Sequence, residues 1–553
     1  AWDGTLTLQQ PLIEPLYGGR STIEVLATLV GQSTPSGHDD VRTTLATFFD
    51  DGDFETAWKR ALHDGLVRDT SSPETSVELD GSRLAAAGTS LAALVAAAAP
   101  TAEKPELVLA ADRRVYDGRW SNNAWQQELP DAITKATWDN VLEVAPRTAR
   151  ELSLSEGDVV TITVAGTSVD LPVCVIPGQA PGTLSTSLGY GRTAAGSVGN
   201  GVGADTYLLR TTSAPWLIPE VGLTKTGRKI ALATTQDHFA IDTIGFGARN
   251  SRISTLIREV SLDRYLADPE VIQHMDHHPP LVSLWKDKEY PGEQWGMAID
   301  LNACNGCNAC VVACQAENNI PVVGREQVIN QREMHWIRVD RYFKTEPGVG
   351  PSDVEDAEMV FQPMTCIQCE NAPCEQVCPV AATQHTEDGI NAMVYNRCIG
   401  TRYCSNNCPV KVRRFNFFNY HKDLTDVEQL QFNPEVTVRS RGVMEKCTYC
   451  VQRIQAVRID ARNDNRPITD GEIVPACAQT CPTNAITFGD LNDPSSEVSR
   501  LREDKRAYAT LVELNIRPRT QYLARLSNKV GGDGGDPHAP PHHAEDTDHG
   551  KEG

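Results

Sequence analysis

The residues of this chain that could do chemistry are its cysteines, which are concentrated in one segment. Of the 16 cysteines, only Cys174 lies outside the stretch between Cys304 and Cys481. Many are separated by two residues, and a proline directly follows three of them. This spacing is typical of loops that hold iron–sulfur clusters. The cysteines form four groups: Cys304, Cys307, Cys310 and Cys314; Cys366, Cys369, Cys374 and Cys378; Cys398, Cys404 and Cys408; and Cys447, Cys450, Cys477 and Cys481.

In such loops three thiolates surround one cluster, while the fourth cysteine ligates a neighbouring cluster. We therefore expect the first group to exchange its last cysteine with the fourth group, and the second group with the third. The expected ligands form a first set, Cys304, Cys307, Cys310 and Cys481; a second set, Cys447, Cys450, Cys477 and Cys314; a third set, Cys366, Cys369, Cys374 and Cys408; and a fourth set, Cys398, Cys404 and Cys378.

The fourth set is one ligand short, and the gap falls at a defined position. The repeated spacing places a cysteine at position 401, which is Thr401 in this chain. A hydroxyl is a poor ligand for a soft cluster, so the unprotected iron is easily lost. The sequence thus predicts three [4Fe–4S] clusters and one [3Fe–4S] cluster. The alternative is a fourth [4Fe–4S] cluster with water or Thr401 on the odd iron.

Two other uses of the cysteines fit the spacing less well. Structural zinc requires self-contained sets of four ligands, usually two separated pairs. Disulfide frameworks belong mainly to short secreted chains with small cores, whereas this chain has 553 residues. Both alternatives are therefore disfavoured.

Composition limits the classes of partner. The formal net charge of −22 disfavours binding to nucleic acid or to an anionic membrane surface. No stretch approaches the roughly 20 apolar residues that span a bilayer, and Leu91–Ala99 is interpreted as a buried helix. Because residue 1 is Ala within folded-looking sequence, we expect a signal peptide or domain to be missing upstream.

The elements that must position these cysteines form several segments. Residues 21–30 look helical, whereas Val160, Ile162 and Val164, then Val169 to Val175, alternate as half-buried strands do, with a turn at Gly166. The predicted class is α+β multidomain. The predicted segments are a remnant α/β region at 1–104, a small β-barrel at 105–212, a connecting arm at 213–290, a cluster domain at 291–525 and a disordered tail at 526–553.

A few other polar residues are candidates for a function. The basic residues Lys411, Arg413 and Arg414 either offset cluster charge, dock a partner or form a solvated or salt-bridged face. Structural roles are favoured for His385 and His421 and for Cys174, which the pattern places in a strand. No nucleophile–base arrangement is found, so no catalytic residue is predicted.

Longer stretches carry a family resemblance. The segments EQWGMAIDLNACNGCNACVVACQAENN, CIQCENAPCEQVCPVAAT and MVYNRCIGTRYCSNNCP resemble the four-cluster iron–sulfur subunit of alternative complex III, a quinol-oxidising respiratory complex. The broader superfamily contains the four-cluster subunits of polysulfide and dimethyl sulfoxide reductases. The segments QQPLIEPLYGGRSTIEVLATL, NNAWQQELPDAITKATWDN and LGYGRTAAGSVGNGVGADTYLLR are similar to the C-terminal region of molybdopterin oxidoreductases.

The resemblance implies a fold and a set of partners. It implies a double-psi β-barrel near 105–212 without molybdopterin, followed by a duplicated ferredoxin-like domain. It also implies an integral membrane quinol-binding subunit, c-type haem subunits and other subunits of a hetero-oligomeric complex as partners. The expected location is the periplasmic, outer face of the cytoplasmic membrane, without a transmembrane helix in this chain.

Three functions follow from these observations. The first is an electron relay from quinol toward haem in a membrane complex, with no substrate-converting site in this chain. The second is the electron-transfer subunit of a molybdenum-containing polysulfide, sulfoxide or tetrathionate reductase. The third is a structural subunit whose clusters only hold the fold.

Overall fold

The structure is a computed structural model of the 553-residue chain. It describes residues 2–528 except 16, 50–51, 98–99, 236–251, 254, 276–277, 279, 284–285, 287, 345–354 and 356. The chain divides into two compact units, of which the first is Ala1–Ala99 and the second begins at Pro100. Residues 105–212 and 291–525, predicted as separate domains, therefore lie within one compact unit.

The first unit is helical in its described part. Its helices are α1 (Thr22–Leu29), α2 (Gly37–Ala46), α3 (Phe54–Asp64) and α4 (Gly81–Ala97). Ser21 begins α1 with a capping box closed by Glu24, as the helical pattern of residues 21–30 predicts. A small core contains Leu45, Trp58 and Val67. The sequence predicts a buried helix for Leu91–Ala99, and the side chains of residues 93–99 lie outside the described part. Burial is wrong for Leu91, which is 62% exposed.

The second unit begins with a curled, open sheet of seven strands in the order β6-β1-β5-β2-β4-β3-β7. Its long hairpin pairs Val164 with Thr167, and Gly166 in the turn has a φ of 87°. The alternating valines and leucines of this hairpin face a buried core, as predicted. The strands are β1 (Glu106–Ala110), β2 (Leu142–Val144), β3 (Asp158–Val164), β4 (Thr167–Val175), β5 (Thr183–Ser187), β6 (Leu217–Ile218) and β7 (Gly222–Lys229).

This sheet extends past residue 212, where the predicted connecting arm begins. Strand β6 pairs with β1, and β7 pairs with β3. These two strands are therefore the edge strands of the sheet. The sequence does not mark β7 as a strand, because this strand is mostly exposed and therefore carries no alternating apolar pattern. Short helices α5 (Ala124–Glu128) and α6 (Pro146–Glu151) lie between the strands.

The cysteine-bearing half is built on a four-stranded sheet of order β16-β9-β18-β17. Strand β9 runs antiparallel to β16 and parallel to β18, which brings the start and the end of this half together. The strands are β8 (Glu259–Ser261), β9 (Trp295–Asp300), β10 (Arg338–Lys344), β11 (Glu358–Met364), β12 (Thr383–His385), β13 (Asn391–Met393), β14 (Arg414–Phe415), β15 (Met444–Glu445), β16 (Ile486–Asp490), β17 (Ala507–Tyr508), β18 (Thr520–Leu523) and β19 (Arg525–Ser527).

Short helices alternate with these strands and carry many of the cysteines. They are α7 (Leu262–Ala267), α8 (Val271–His274), α9 (Ala309–Glu317), α10 (Arg325–Ile329), α11 (Pro373–Gln376), α12 (Tyr403–Asn406), α13 (Asp426–Gln429), α14 (Val451–Asn463), α15 (Ala476–Gln479) and α16 (Glu497–Glu503). One core runs through this half and contains Trp295, Ile299 and Tyr522 together with several cysteines.

These observations confirm the α+β multidomain class, whereas the double-psi crossing of the barrel stays a prediction. In the described ranges, no helix combines the length and apolar character needed to cross a bilayer. Of the predicted tail, residues 529–553 lie outside the described residues. Leu526 and Ser527 belong instead to β19, which pairs with β8.

Candidate functional site: four cysteine sets

The four cysteine groups share a backbone conformation. The second residue after the first cysteine of each group has a positive φ: 74° at Gly306, 49° at Gln368, 75° at Gly400 and 56° at Tyr449. This left-handed residue turns the chain sharply after each leading cysteine. Only two of the four residues are glycines, so the repeat is clearer in the backbone than in the sequence.

The first set combines the loop that leads into α9 with Cys481, which follows α15. Burial raises the pKa of the Cys310 thiol, and the neighbouring thiolates of Cys304, Cys307 and Cys481 raise it further. The same neighbours act on Cys304, whose pKa is raised by burial and by Cys481 and Cys307. All four predicted members therefore lie close to one another.

The second set joins α9 to the loops that begin α14 and α15. Burial raises the pKa of Cys314, with further contributions from Cys447, Cys450 and Cys477. The Asn318 side-chain amide donates to the sulfurs of Cys314, at 3.5 Å, and of Cys450, at 3.9 Å. Such hydrogen bonds to ligand sulfurs influence cluster potentials.

The third set is also gathered in the core. Burial raises the pKa of Cys369, and the thiolates of Cys366, Cys408 and Cys374 raise it further. Of the three remaining members, all are buried. The structure thus brings the members of each of these three sets close together, and their role as cluster ligands stays a prediction.

The fourth set lies beside the third. Cys404 belongs to the apolar cluster that contains Cys374 and Met444, and Cys398 packs against that cluster. Cys378 follows α11, which contacts α12, the helix that carries Cys404. The positive charge of the Arg413 guanidinium interacts with the thiols of both Cys378 and Cys404.

Thr401 occupies the position in its loop that Cys307 occupies in the first loop. Gly306 and Gly400 have φ values of 74° and 75°, and Asn308 and Arg402 have values of 63° and 61°. In both loops the left-handed residue at the later position begins a helix. Thr401 is exposed, whereas Cys404 is buried.

The cysteines that precede proline share a second local structure. Three residues beyond Cys378, Cys408 and Cys481, the backbone again has a positive φ, at Ala381, Lys411 and Asn484. This turn directs backbone N–H groups at the sulfurs: Ala382 donates to Cys378 at 3.2 Å, and Ala485 donates to Cys481 at 3.3 Å.

These donors change the acidity of two thiols. Burial alone would raise the pKa of Cys378, but the backbone N–H groups of Val380, Ala382 and Thr383 lower it overall. The pKa of Cys481 is lowered in a similar way, against the effect of burial. Donors aimed at sulfur favour the thiolate, which is the form that binds metal.

The donor set suits clusters of iron and sulfide. Thiolates are soft ligands, and the arrangement offers three sets of four and one set of three. Among the residues that the structure describes, no three His, Cys, Asp or Glu side chains converge closely enough to hold a single metal ion.

Residues from the sheet-bearing part contact the first loop. The Asn308 side chain donates to the carbonyl of Pro130 at 2.8 Å, and the N–H groups of Val323 and Gly324 donate to the carboxylate of Glu128. Burial raises the pKa of Glu128 to about 7. No motif in the sequence marks Glu128 or Pro130, since their role depends on how the two parts pack.

A buried lysine from the same region interacts electrostatically with the first set. Lys135 is 2% exposed, and burial lowers its pKa to about 7. Its ammonium acts electrostatically on Cys304 and Cys310. Sequence reasoning missed Lys135 because an isolated lysine in a loop gives no signal of burial.

The remaining predicted residues resolve as follows. Arg413 and Arg414 are buried, so the solvated face is wrong for these two residues, and Arg414 pairs with Glu333 at 3.0 Å. His385 contacts the carboxylate of Glu375 at 2.7 Å, and the ring of His421 meets that of Phe432 edge-on. Cys174 is buried in β4, as predicted.

Known proteins resemble the cysteine-bearing part. The family described as "4Fe-4S dicluster domain" matches residues 303–382. The menaquinone reductase iron–sulfur cluster-binding subunit of Nitratidesulfovibrio vulgaris is 40% identical over 239 residues, which is 42% of this chain and 89% of the relative. The Hdr-like menaquinol oxidoreductase iron–sulfur subunit 1 of Archaeoglobus fulgidus is 33% identical over 257 residues, with 43% and 85% covered.

A third relative belongs to a polysulfide reductase. This component of the polysulfide reductase of Wolinella succinogenes is 32% identical over 243 residues, covering 43% of this chain and 97% of the relative. All three relatives therefore match less than half of this chain but most of their own length. Their agreement with the cysteine geometry shows that the chain belongs to the family of iron–sulfur subunits of menaquinol, polysulfide and dimethyl sulfoxide reductase-type complexes.

Proposed function

We propose that this chain is the electron-relay subunit of a membrane-bound quinol-oxidising complex of the alternative complex III type. The observation that carries the proposal is that each cysteine set adjoins the next. Cys310 of the first set contributes to the electrostatic environment of Cys477 in the second set, and Cys366 of the third set contributes to that of Cys447 in the second. The third meets the fourth in the apolar cluster that contains Cys374 and Cys404.

The ligand sets of the proposal are those expected from the spacing. Bound clusters would each take up and release one electron at a time. The protein's own contribution is to hold the sites in sequence, bury about half of the cysteines and direct hydrogen-bond donors at several sulfurs. Three sets of four support [4Fe–4S] clusters, and the set of three beside Thr401 supports a [3Fe–4S] cluster.

The fourth set is the proposed entry point for electrons from quinol. Two large apolar side chains beside its cysteines are substantially exposed: Ile399 at 65% and Tyr403 at 54%. An exposed apolar patch is typical of a surface that another subunit covers. We propose an integral membrane quinol-binding subunit as that partner, with c-type haem subunits as acceptors, on the periplasmic face of the membrane.

The sheet-bearing half supports the alternative complex III type. The three relatives match at most 43% of this chain, so more than half of it is additional to the part shared with each relative. Fusion of a molybdopterin-oxidoreductase-like region to the cluster half is the feature that favours this type. We propose that this region carries no molybdopterin.

The proposal is tested on the complex purified without oxygen. Iron and sulfide analysis should give three clusters of four irons and one of three, and the oxidised complex should show the EPR signal typical of a [3Fe–4S] centre. Menaquinol should reduce the haems, and this reduction should be lost when the clusters are destroyed. Normal haem reduction without clusters would refute the relay.

Two other outcomes distinguish the alternatives. Stoichiometric molybdenum would favour an electron-transfer subunit of a molybdenum-containing polysulfide, sulfoxide or tetrathionate reductase. Clusters that keep one oxidation state across the physiological range of potentials would favour a structural subunit.

A further inference from the structure

Arg413 is a buried cation located between the third and fourth cysteine sets. It is 5% exposed and immediately precedes β14. The thiols that act most strongly on its guanidinium are Cys374 and Cys404, followed by Cys366 and Cys408. Three of these belong to the third set and one to the fourth, so the guanidinium serves both.

The hydrogen bonds of Arg413 leave much of its donor capacity free. Its Nη2 donates to the hydroxyl of Thr383 at 2.6 Å and contacts the sulfur of Met393 at 3.2 Å. Its Nε and Nη1 have no partner among the described residues, although both are buried. No carboxylate in the described part of the chain forms an ion pair with it.

The neighbouring arginine shows that this arrangement is particular to Arg413. Arg414 is equally buried, but it pairs with Glu333 and donates to the carbonyl of His335. Its charge is therefore balanced by a carboxylate. The cysteine sulfurs are absent from the main influences on Arg414.

A buried charge without a counter-ion costs several kcal/mol, so the fold retains such a charge only where something balances it. The thiolates of the third and fourth sets, with the clusters that they would hold, supply that negative charge. The unpaired Nε and Nη1 hydrogens are available to this negative region.

We propose that Arg413 raises the reduction potentials of the centres held by the third and fourth sets. This inference rests on the proposed binding of clusters at these cysteines. A fixed cation in a poorly solvated interior stabilises the added electron of the reduced centre. Because arginine stays charged, its contribution should not change with pH in the physiological range.

The test compares three variants of the full chain in its complex. Arg413→Gln removes the charge, and Arg413→Lys keeps a charge on a shorter side chain with fewer donors. Lys411→Gln removes a like charge two residues away, on a side chain that is only partly buried. Iron content is measured first, and each centre is then titrated by EPR against applied potential.

With iron content unchanged, Arg413→Gln should shift both centres to lower potential. The expected size is on the order of tenfold in each one-electron equilibrium, which is 59 mV. Arg413→Lys should give a smaller shift in the same direction, and Lys411→Gln should leave both potentials close to those of the parent. Potentials of the first and second sets should not move.

Several results would overturn the inference. Unchanged potentials in both Arg413 variants would do so, as would an equal shift in all four centres or in Lys411→Gln. If Arg413→Gln loses iron, the potentials of the Arg413→Lys variant decide instead, and unchanged potentials in that variant would overturn the inference. A parent chain without iron would instead refute the proposed function, so the two failures are distinguishable.

Discussion

The loops Cys304–Cys310 and Cys398–Cys404 have nearly the same backbone but different side chains at one position. Their glycines have φ values of 74° and 75°, and the left-handed residues two positions later have values of 63° and 61°. The intervening residue is Cys307 in one loop and Thr401 in the other. The loop conformation is therefore independent of whether that residue can bind iron.

The two loops also differ in their surroundings. The first loop contacts the sheet-bearing part through Asn308 and Pro130, whereas the other lies beside exposed Ile399 and Tyr403. Two loops of nearly the same backbone therefore have different neighbours. The first is partly covered by the sheet-bearing part, although Cys307 itself is exposed, and the other carries exposed apolar side chains.

The largest expected effect comes from giving the second loop the residue of the first. In Thr401→Cys, a fourth thiolate becomes available in a loop that already has the ligating conformation. We expect one additional iron per chain and loss of the [3Fe–4S] EPR signal from the oxidised protein. Iron analysis and EPR of the anaerobically purified complex measure both.

Thr401→Ser is the matched control, because it keeps a hydroxyl at the same position and should leave the iron content unchanged. An unaltered [3Fe–4S] signal in Thr401→Cys, with the new thiol reduced, would contradict the assignment of Thr401 to the missing ligand position.

A second prediction concerns the glycines that shape the loops. A Cβ on Gly306 would lie 2.5 Å from the Phe361 ring, and one on Gly400 would lie 2.8 Å from the carbonyl oxygen of Gly442. Gly306→Ala and Gly400→Ala should each lower the free energy of unfolding by about 3 kcal/mol, from left-handed strain and overpacking. Denaturant unfolding under reducing, anaerobic conditions measures the change.

Gly442→Ala is the control for this pair. Gly442 also has a positive φ, 85°, but its Cβ would meet no atom within 4 Å. Only the left-handed strain remains, so the loss should be about 1 kcal/mol. Equal losses in all three variants would show that the close contacts do not matter.

The third prediction is that the stability of the folded chain depends on pH through Glu128. Burial raises the pKa of Glu128 from 4.5 to about 7 in the folded chain. The folded state therefore binds this proton more tightly than the unfolded state. The protonated Glu128 therefore contributes to the free energy of unfolding. This contribution is fully present below pH 4.5 and is lost as the pH rises through 7, a loss of at most about 3 kcal/mol.

Glu128→Gln should remove this dependence, because an amide does not titrate. The thermal midpoints of the parent and the variant are compared from pH 5 to pH 8. The parent should lose stability relative to the variant as the pH rises, and parallel curves would contradict the assignment.

The smallest expected effect tests the contact between the first loop and the sheet-bearing part. Asn308→Ala removes the hydrogen bond to the carbonyl of Pro130 and should cost about 1 kcal/mol of unfolding free energy. Arg402→Ala, at the equivalent position of the other loop, loses only contacts with the Phe415 and Phe417 rings. Its cost should be about 0.5 kcal/mol. Denaturant unfolding of both variants compares them.

Much of the candidate site follows from the sequence by itself. Spacing between cysteines is a local property of the chain, and it predicts the four groups, the exchange of their last members and the gap at Thr401. Alternating valines and leucines likewise predict β3 and β4, because side chains of a strand alternate between two faces.

Other features depend on contacts between distant parts of the chain. Strand β7 gave no apolar pattern because it covers an edge of the sheet and is largely exposed. The alanine-rich composition of α4 likewise does not reveal that Leu84 and Leu91 are exposed, because burial depends on what packs against a helix.

The sequence by itself predicts which residues bind iron and which position lacks a ligand, because thiolate chemistry and short spacings belong to the chain locally. Only the tertiary structure decided which charges lie beside those residues. Arg413, Arg414 and Lys135 are all buried basic residues, but Arg414 has a carboxylate partner, whereas Arg413 and Lys135 lie near sulfurs. That difference arises from packing between segments far apart in sequence, which sets the local electrostatics of a buried group.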